Sequence, residues 1–142
     1  MTGLIDTHTH LQLREFDKDR EATLERAEEA KLKAIVVLGV DAASSEAAIA
    51  LAEAHPLVHA AAGCHPHDAG RLDERGWRRL RELTAHPRVV AVGEIGLDFY
   101  RNLSSQEDQV RVLEQELELA AERRLPVAVH CRDASDRMYP IL

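Results

Sequence analysis

Apolar residues in this chain fall into short runs rich in Val, Ile, Leu and Ala, separated by longer stretches in which apolar positions recur every three or four residues. Runs of the first kind predict strands buried on both faces, and the spaced pattern predicts amphipathic helices. Their alternation predicts βα units around a parallel sheet. Strands are expected at Leu4 to His8, Ala34 to Val40, Leu57 to Cys64, Val89 to Ile95 and Val127 to His130. A helix from about Asp17 to Lys31 puts Leu24, Ala27 and Ala30 on one face. Ser44 and Ser45 are the expected N-caps of an Ala-rich helix through Ala54, which His55-Pro56 ends because the residue before proline disfavours the α region. From Glu74 to Ala85 a third helix carries Trp77, Leu80 and Leu83 as a packing stripe, and Pro87 closes it.

Ser104-Ser105-Gln106-Glu107 matches the S-x-x-E capping box of a helix running to about Arg124, with Val110, Leu113, Leu117 and Ala121 as its buried stripe and Pro126 as the stop. Ala134 to Leu142 reads as the start of a further helix. The expected fold is therefore α/β, a TIM-type (β/α)8 barrel of which residues 1–142 supply five βα units as one incomplete domain. A closed barrel of eight such units needs on the order of 250 residues.

Composition narrows the function. The chain holds 45% hydrophobic and 4% aromatic residues, enough for a core of aliphatic side chains. Lys and Arg number 18 against 25 Asp and Glu, a net charge of -7, which excludes a broad basic face that holds nucleic acid by phosphate neutralisation alone. A phosphate would need metal ions or a local cationic pocket. No apolar run is long enough to span a bilayer, and the N-terminus lacks a basic n-region and an apolar signal core, so a cytoplasmic protein without a membrane partner is expected. Cys64 and Cys131 lie outside any C-x-x-C spacing and read as two reduced, mostly buried thiols.

Polar residues collect where the predicted strands end: Asp6 to His10, Cys64 to Asp68, Glu94 to Asp98 and His130 to Asp133. In parallel α/β folds that end forms the active face. His8 and His10, spaced i, i+2 on a strand, point the same way and suit one cation. Glu94 and His130 end two other strands, and imidazoles with a carboxylate suit Zn, Mn or a site that admits Mg. Glu94, with two oxygens, is the natural bridge if two ions bind. His65 is expected at substrate phosphate or a metal-bound water, the alternative being a hydrogen bond to a loop carbonyl, and His67 is divided evenly between such roles. Arg132 offers a phosphate a bidentate contact, or else pairs with Asp133 or Asp136. Asp98 and Asp6 are expected to accept hydrogen bonds that fix histidine tautomers, or to cap turns. Phe99 and Tyr100 lie in a loop where an aromatic ring stacks on a base or holds the loop in place. His55, His59 and His86 fall away from this face and are read as structural.

IDTHTHL at 5–11, AAGCHPHD at 61–68, VAVGEIGLDFYRN at 90–102 and PVAVHCRDA at 126–134 together resemble the TatD-type metal-dependent deoxyribonucleases, a branch of the amidohydrolase-like barrels. The resemblance implies a (β/α)8 barrel, two divalent metal ions and hydrolysis of phosphodiester bonds in DNA. It implies that His8 and His10 bind one metal, that Glu94 bridges both and serves catalysis, and that His130 binds the other. It also implies a further histidine and an aspartate from later strands, which would lie beyond Leu142. On that ground the 142-residue chain is expected to be a weak nuclease by itself, and to self-associate or to join a C-terminal half. The other readings are a metal-dependent amidase or lactonase, since the same ligands activate water toward carbonyl carbon, and a non-catalytic fragment or interaction module.

Overall fold

The computed structural model describes residues 3–142; Met1 and Thr2, part of the stretch read above for a leader, lie outside the described residues. Strands β1 (Ile5–Thr9), β2 (Ala34–Leu38), β3 (Val58–Ala62), β4 (Val89–Asp98) and β5 (Val127–Arg132) form one sheet in sequential order. Every neighbouring pair is parallel. Helices α1 (Arg20–Glu29), α2 (Ala42–Ala54), α3 (Glu74–Leu83) and α4 (Gln106–Arg123) make the crossovers, and the short α5 (Ser135–Met138) follows β5. The result is the β1 to β5 arc of a TIM-type barrel, as the sequence pattern predicts.

Alternation along the strands separates two apolar layers. Ile35, Val37, Val58, Ala60 and Ala62 pack against Ala48, Ile49 and Ala52 of α2 on the helix side. Leu38, Ala61 and Ala91 pack together as a second layer, with Val36 and Ala128 against them, as residues on the opposite side of the pleat should. Each fully buried Val or Leu contributes about 1.5–3 kcal/mol.

Several local expectations need correction. The N-cap of α2 is Asp41, not Ser44 or Ser45: its carboxylate accepts from the Ser44 amide at 2.7 Å while the Ser44 hydroxyl accepts from the Asp41 amide at 3.0 Å. Ser45 is buried, and its hydroxyl donates to the Asp41 carbonyl at 2.6 Å. Helix α4 is capped by Ser105 rather than by a Ser104–Glu107 box, because the Ser105 hydroxyl accepts from the Asp108 amide at 3.1 Å. The buried face of α4 is also rotated from the expected stripe: Gln109, Val112, Leu113, Glu116, Leu119 and Ala120 are buried while Ala121 is exposed. Two polar side chains thus face the sheet, which an apolar count does not reveal. Cys64 is buried as expected, but Cys131 is exposed on β5, a strand with only one neighbour among the described residues.

Strand β4 runs three residues beyond its predicted end at Ile95, to Asp98. Glycines on either side of Glu94 and Ile95 shape this stretch. Gly93 has φ +157° and Gly96 has φ +146°, conformations that side-chain-bearing residues rarely adopt. A Cβ on Gly96 would overlap the His130 carbonyl, so the close approach of β5 requires glycine there. The β4–β5 register shifts between Val92 and Ile95, within this segment.

Candidate metal centre

Glu94 sits at the β4 irregularity, and its amide donates to the Gly39 carbonyl at 2.8 Å, beyond the end of β2 rather than on the neighbouring strand β3. That bond carries the carboxylate across the top of the arc toward β1. His8 and His10 of the β1 end each place Nε2 3.3 Å from Glu94 Oε2. The other oxygen, Oε1, lies 3.1 Å from His130 Nδ1 and 4.0 Å from His65 Nε2. His10 is oriented from behind, with Nδ1 3.0 Å from the Leu38 carbonyl.

A second cluster stands beside the first. His65 precedes a 3-10 turn over Pro66–Arg71, and its Nδ1 accepts from the His67 amide at 3.2 Å. Asp98, fully buried, receives two rings on one oxygen: His67 Nε2 at 2.7 Å and His130 Nε2 at 3.1 Å. Asp98 therefore orients histidine rings, one of the two roles the sequence suggests. Asp6 takes the other role, accepting from the His8 amide at 3.2 Å rather than from a ring. A cavity of about 220 Å³ opens onto His10, His65, His67 and Glu94, with Leu13, Val40 and Asp68 around it.

The electrostatics favour ionised carboxylates at Glu94 and Asp98. Burial works to raise the Glu94 carboxyl, but the His10 hydrogen bond and the fields of His8, His65 and His130 hold it at about 2. For Asp98 burial is likewise outweighed, by the Arg101 amide and by the His67 and His130 rings, so it stays well below the usual carboxylate range. His10 is pushed up chiefly by its bond to Glu94. His65 is lowered to about 4, first by burial and then by the neighbouring His130, and is a neutral imidazole near pH 7.

The donor set fits divalent cations. His8, His10 and Glu94 offer ligand atoms within 4.8 Å of one another, and so do His65, His67 and His130. Two ligands at about 2.1 Å from a tetrahedral ion stand about 3.4 Å apart. The 3.3 Å spacing of both Nε2 atoms from Glu94 Oε2 matches that separation. The structure thus brings Glu94, His8, His10, His65, His67 and His130 together. Arg132 is on the same strand as His130, but its guanidinium lies 4.0 Å over the Tyr100 ring and, among the described residues, makes no ion pair with Asp133 or Asp136. His55 and His86 stand apart, near Glu21 at 3.4 Å and Glu53 at 3.3 Å.

Parallel βα units with imidazoles and a carboxylate gathered at their C-terminal strand ends are the layout of metal-dependent barrel hydrolases. The chain belongs to the TatD related DNase family, whose profile matches residues 5–142. It is 39% identical over 139 residues to a Bacillus subtilis protein described as the uncharacterized metal-dependent hydrolase YabD, covering 98% of this chain and 54% of that protein. It is also 39% identical over 140 residues to the 3'-5' ssDNA/RNA exonuclease TatD of Pectobacterium carotovorum, with coverage of 98% and 54%. Among solved structures it resembles the TatD homologue YJJV of Escherichia coli, with TM-score 0.86 and 34% identity over 95% of this chain and 53% of that one. The chain spans about half the length of these relatives.

Proposed function

We propose that this chain carries strand-end ligands of a two-metal centre that hydrolyses phosphodiester bonds in nucleic acid, with the end of a single-stranded DNA or RNA as its substrate. The observation that supports the reading best is the position of Glu94, whose two oxygens face two different sets of imidazoles. In this assignment His8 and His10 hold one divalent ion, His130 holds the other, and Glu94 is shared. Zn, Mn and Mg all suit oxygen and imidazole donors, with nitrogen favouring the first two. Such ions, when bound, acidify a water and neutralise charge on the phosphoryl and leaving oxygens.

The chain's own residues do the rest. Asp98 fixes the His67 and His130 rings, and Leu38 fixes His10, so the donors are oriented before any ion arrives. His65, neutral near pH 7, is placed to hydrogen-bond a water or a phosphate oxygen on the cavity side of Glu94. Arg132, two residues beyond His130 on β5 with its guanidinium over the Tyr100 ring, is assigned the contact to a substrate phosphate.

Calorimetric titration with Mn and Zn tests the ligand assignment: the His8→Ala, His10→Ala double variant should bind more than about 100-fold more weakly, beyond the 10–100-fold cost usual for partners outside the coordination sphere. Equal binding by both proteins would remove the site. Assay on single-stranded DNA and RNA ends in Mn or Mg, with Glu94→Ala as the control for contaminating nuclease, tests the chemistry. Glu94-dependent turnover of an amide or lactone panel but not of nucleic acid would move the assignment to the amidase or lactonase reading.

A further inference from the structure

We infer that helix α4 positions the site from behind, through Gln109 and Glu116, which lock the ends of β3 and β4 that lead into His65, His67 and Asp98; the inference rests on the metal-centre reading above. Both side chains are 1% exposed, on one face of α4 and seven residues apart, two turns of helix. An amide and a carboxyl at such depth cost stability unless they are hydrogen-bonded, and an apolar pair there would bury surface at no such cost. What each one bonds shows its use.

Gln109 holds both backbone groups of Asp98. Its Oε1 accepts from the Asp98 amide at 2.8 Å and its Nε2 donates to the Asp98 carbonyl at 3.2 Å. Asp98 is the residue on which the His67 and His130 rings both rest, so a shift of its backbone displaces two imidazoles together. A second route leads from the same amide to His67. Nε2 also donates to the Ser104 carbonyl at 2.9 Å, while the Ser104 hydroxyl donates to the His67 carbonyl and accepts from the Gly70 amide, each at 2.9 Å. Gln109 thus fixes the end of β4 and, through Ser104, the 3-10 turn that bears His67.

Glu116 does the same for β3. Its Oε1 accepts from the Cys64 amide at 2.6 Å, just past the last strand residue Ala62 and immediately before His65. Its Oε2 is buried without a hydrogen-bond partner among the described residues. Neither side chain is among the groups that could hold a cation, so both are positioning residues rather than catalytic ones.

The test compares the 142-residue wild type with Gln109→Leu, Gln109→Asn, Glu116→Leu, Glu116→Gln and, as a stability control, Leu83→Ala in the core against α2. Three quantities are measured: amide hydrogen exchange at Cys64 and Asp98 in the metal-free protein, cobalt(II) affinity, and the visible absorption spectrum of the bound cobalt. Gln109→Leu should speed exchange at Asp98, weaken cobalt binding about 10–100-fold and alter the spectrum. Gln109→Asn, one methylene shorter and milder for folding, should change all three in the same direction. Glu116→Leu should speed exchange at Cys64 and weaken cobalt binding, and Glu116→Gln, which keeps the acceptor, should restore both. Leu83→Ala should lower the melting temperature yet leave affinity and spectrum within about twofold. Wild-type affinity and spectrum in both Gln109 variants, or weakening by Leu83→Ala equal to theirs, would overturn the inference. A wild type that takes up no cobalt would instead overturn the metal-centre reading, while the exchange rates still decide whether α4 locks the strand ends.

Discussion

Burial raises the Glu116 carboxyl well above its ordinary range, with the Cys64 amide pulling the other way. The native state therefore keeps a proton that the unfolded chain releases near pH 4.3. Below that pH both states are protonated and the ionisation of Glu116 does not alter stability; from there up to its raised native value, stability falls as pH rises, because the native state binds more protons. Glu116→Gln removes this loss and keeps the acceptor. Its melting temperature relative to wild type should therefore become more favourable between pH 4 and pH 7, as thermal unfolding followed by circular dichroism would show. A difference independent of pH would mean that Glu116 is ionised in the folded protein. At the same scale, Glu94 and Asp98 were legible as candidates because they close an apolar strand at the same end where the histidines of other strands collect. Glu116 and Gln109 were not, since on a helix with so many charged positions a buried Glu looks like any solvated one.

Helix ends show how far local pattern carries. The sequence around α4 contains two adjacent serines, and S-x-x-E selects the first, whereas the fold uses the second. The reason is tertiary: Ser104 is drawn inward to bridge His67 and Gly70, which leaves Ser105 at the cap position. The two serines should therefore respond differently to replacement by alanine. Ser105→Ala should cost about 1 kcal/mol, the usual value for a lost cap, and leave the metal affinity of the site unchanged. Ser104→Ala removes two part-buried hydrogen bonds, from the Gly70 amide and to the His67 carbonyl, should cost about 2 kcal/mol at about 1 kcal/mol each, and should weaken cobalt binding through the His67 turn. Urea unfolding with a cobalt titration of each variant separates these cases, and equal losses on both measures would contradict the division of labour. For α2 the same competition ran the other way, with Asp41 rather than a serine as the cap because Ser45 is buried against Gly63.

On the scale of the whole molecule, the sheet has β1 at one edge and β5 at the other, each with a single neighbour among the described residues. Ile5 is 56% exposed, Val127 36% and Val129 37%. Unpaired, apolar strand edges template further pairing. The 142-residue chain should accordingly self-associate through these edges and bury more than roughly 1,000 Å². Light scattering should show a mass above that of one chain, falling when Val129→Lys places a charge on the β5 edge. A compact monomer at high concentration would refute this. His8 lies on the same β1 edge, with its side chain 49% exposed. No described helix is long and apolar enough to cross a membrane.

The βα order, the strand cores and the histidine and glutamate positions were determined by the sequence alone, because period, β-branching and strand-end chemistry are local properties that one chain displays without folding. Tertiary structure decided which of these residues meet. The bond from Glu94 to Gly39 carries a β4 carboxylate to β1. Asp98 gathers His67 and His130 onto one oxygen. Two polar residues of α4 face the strands rather than water. Each of these is a pairing between positions distant in the chain, and its energy depends on burial and distance, quantities that do not exist until the sheet has formed.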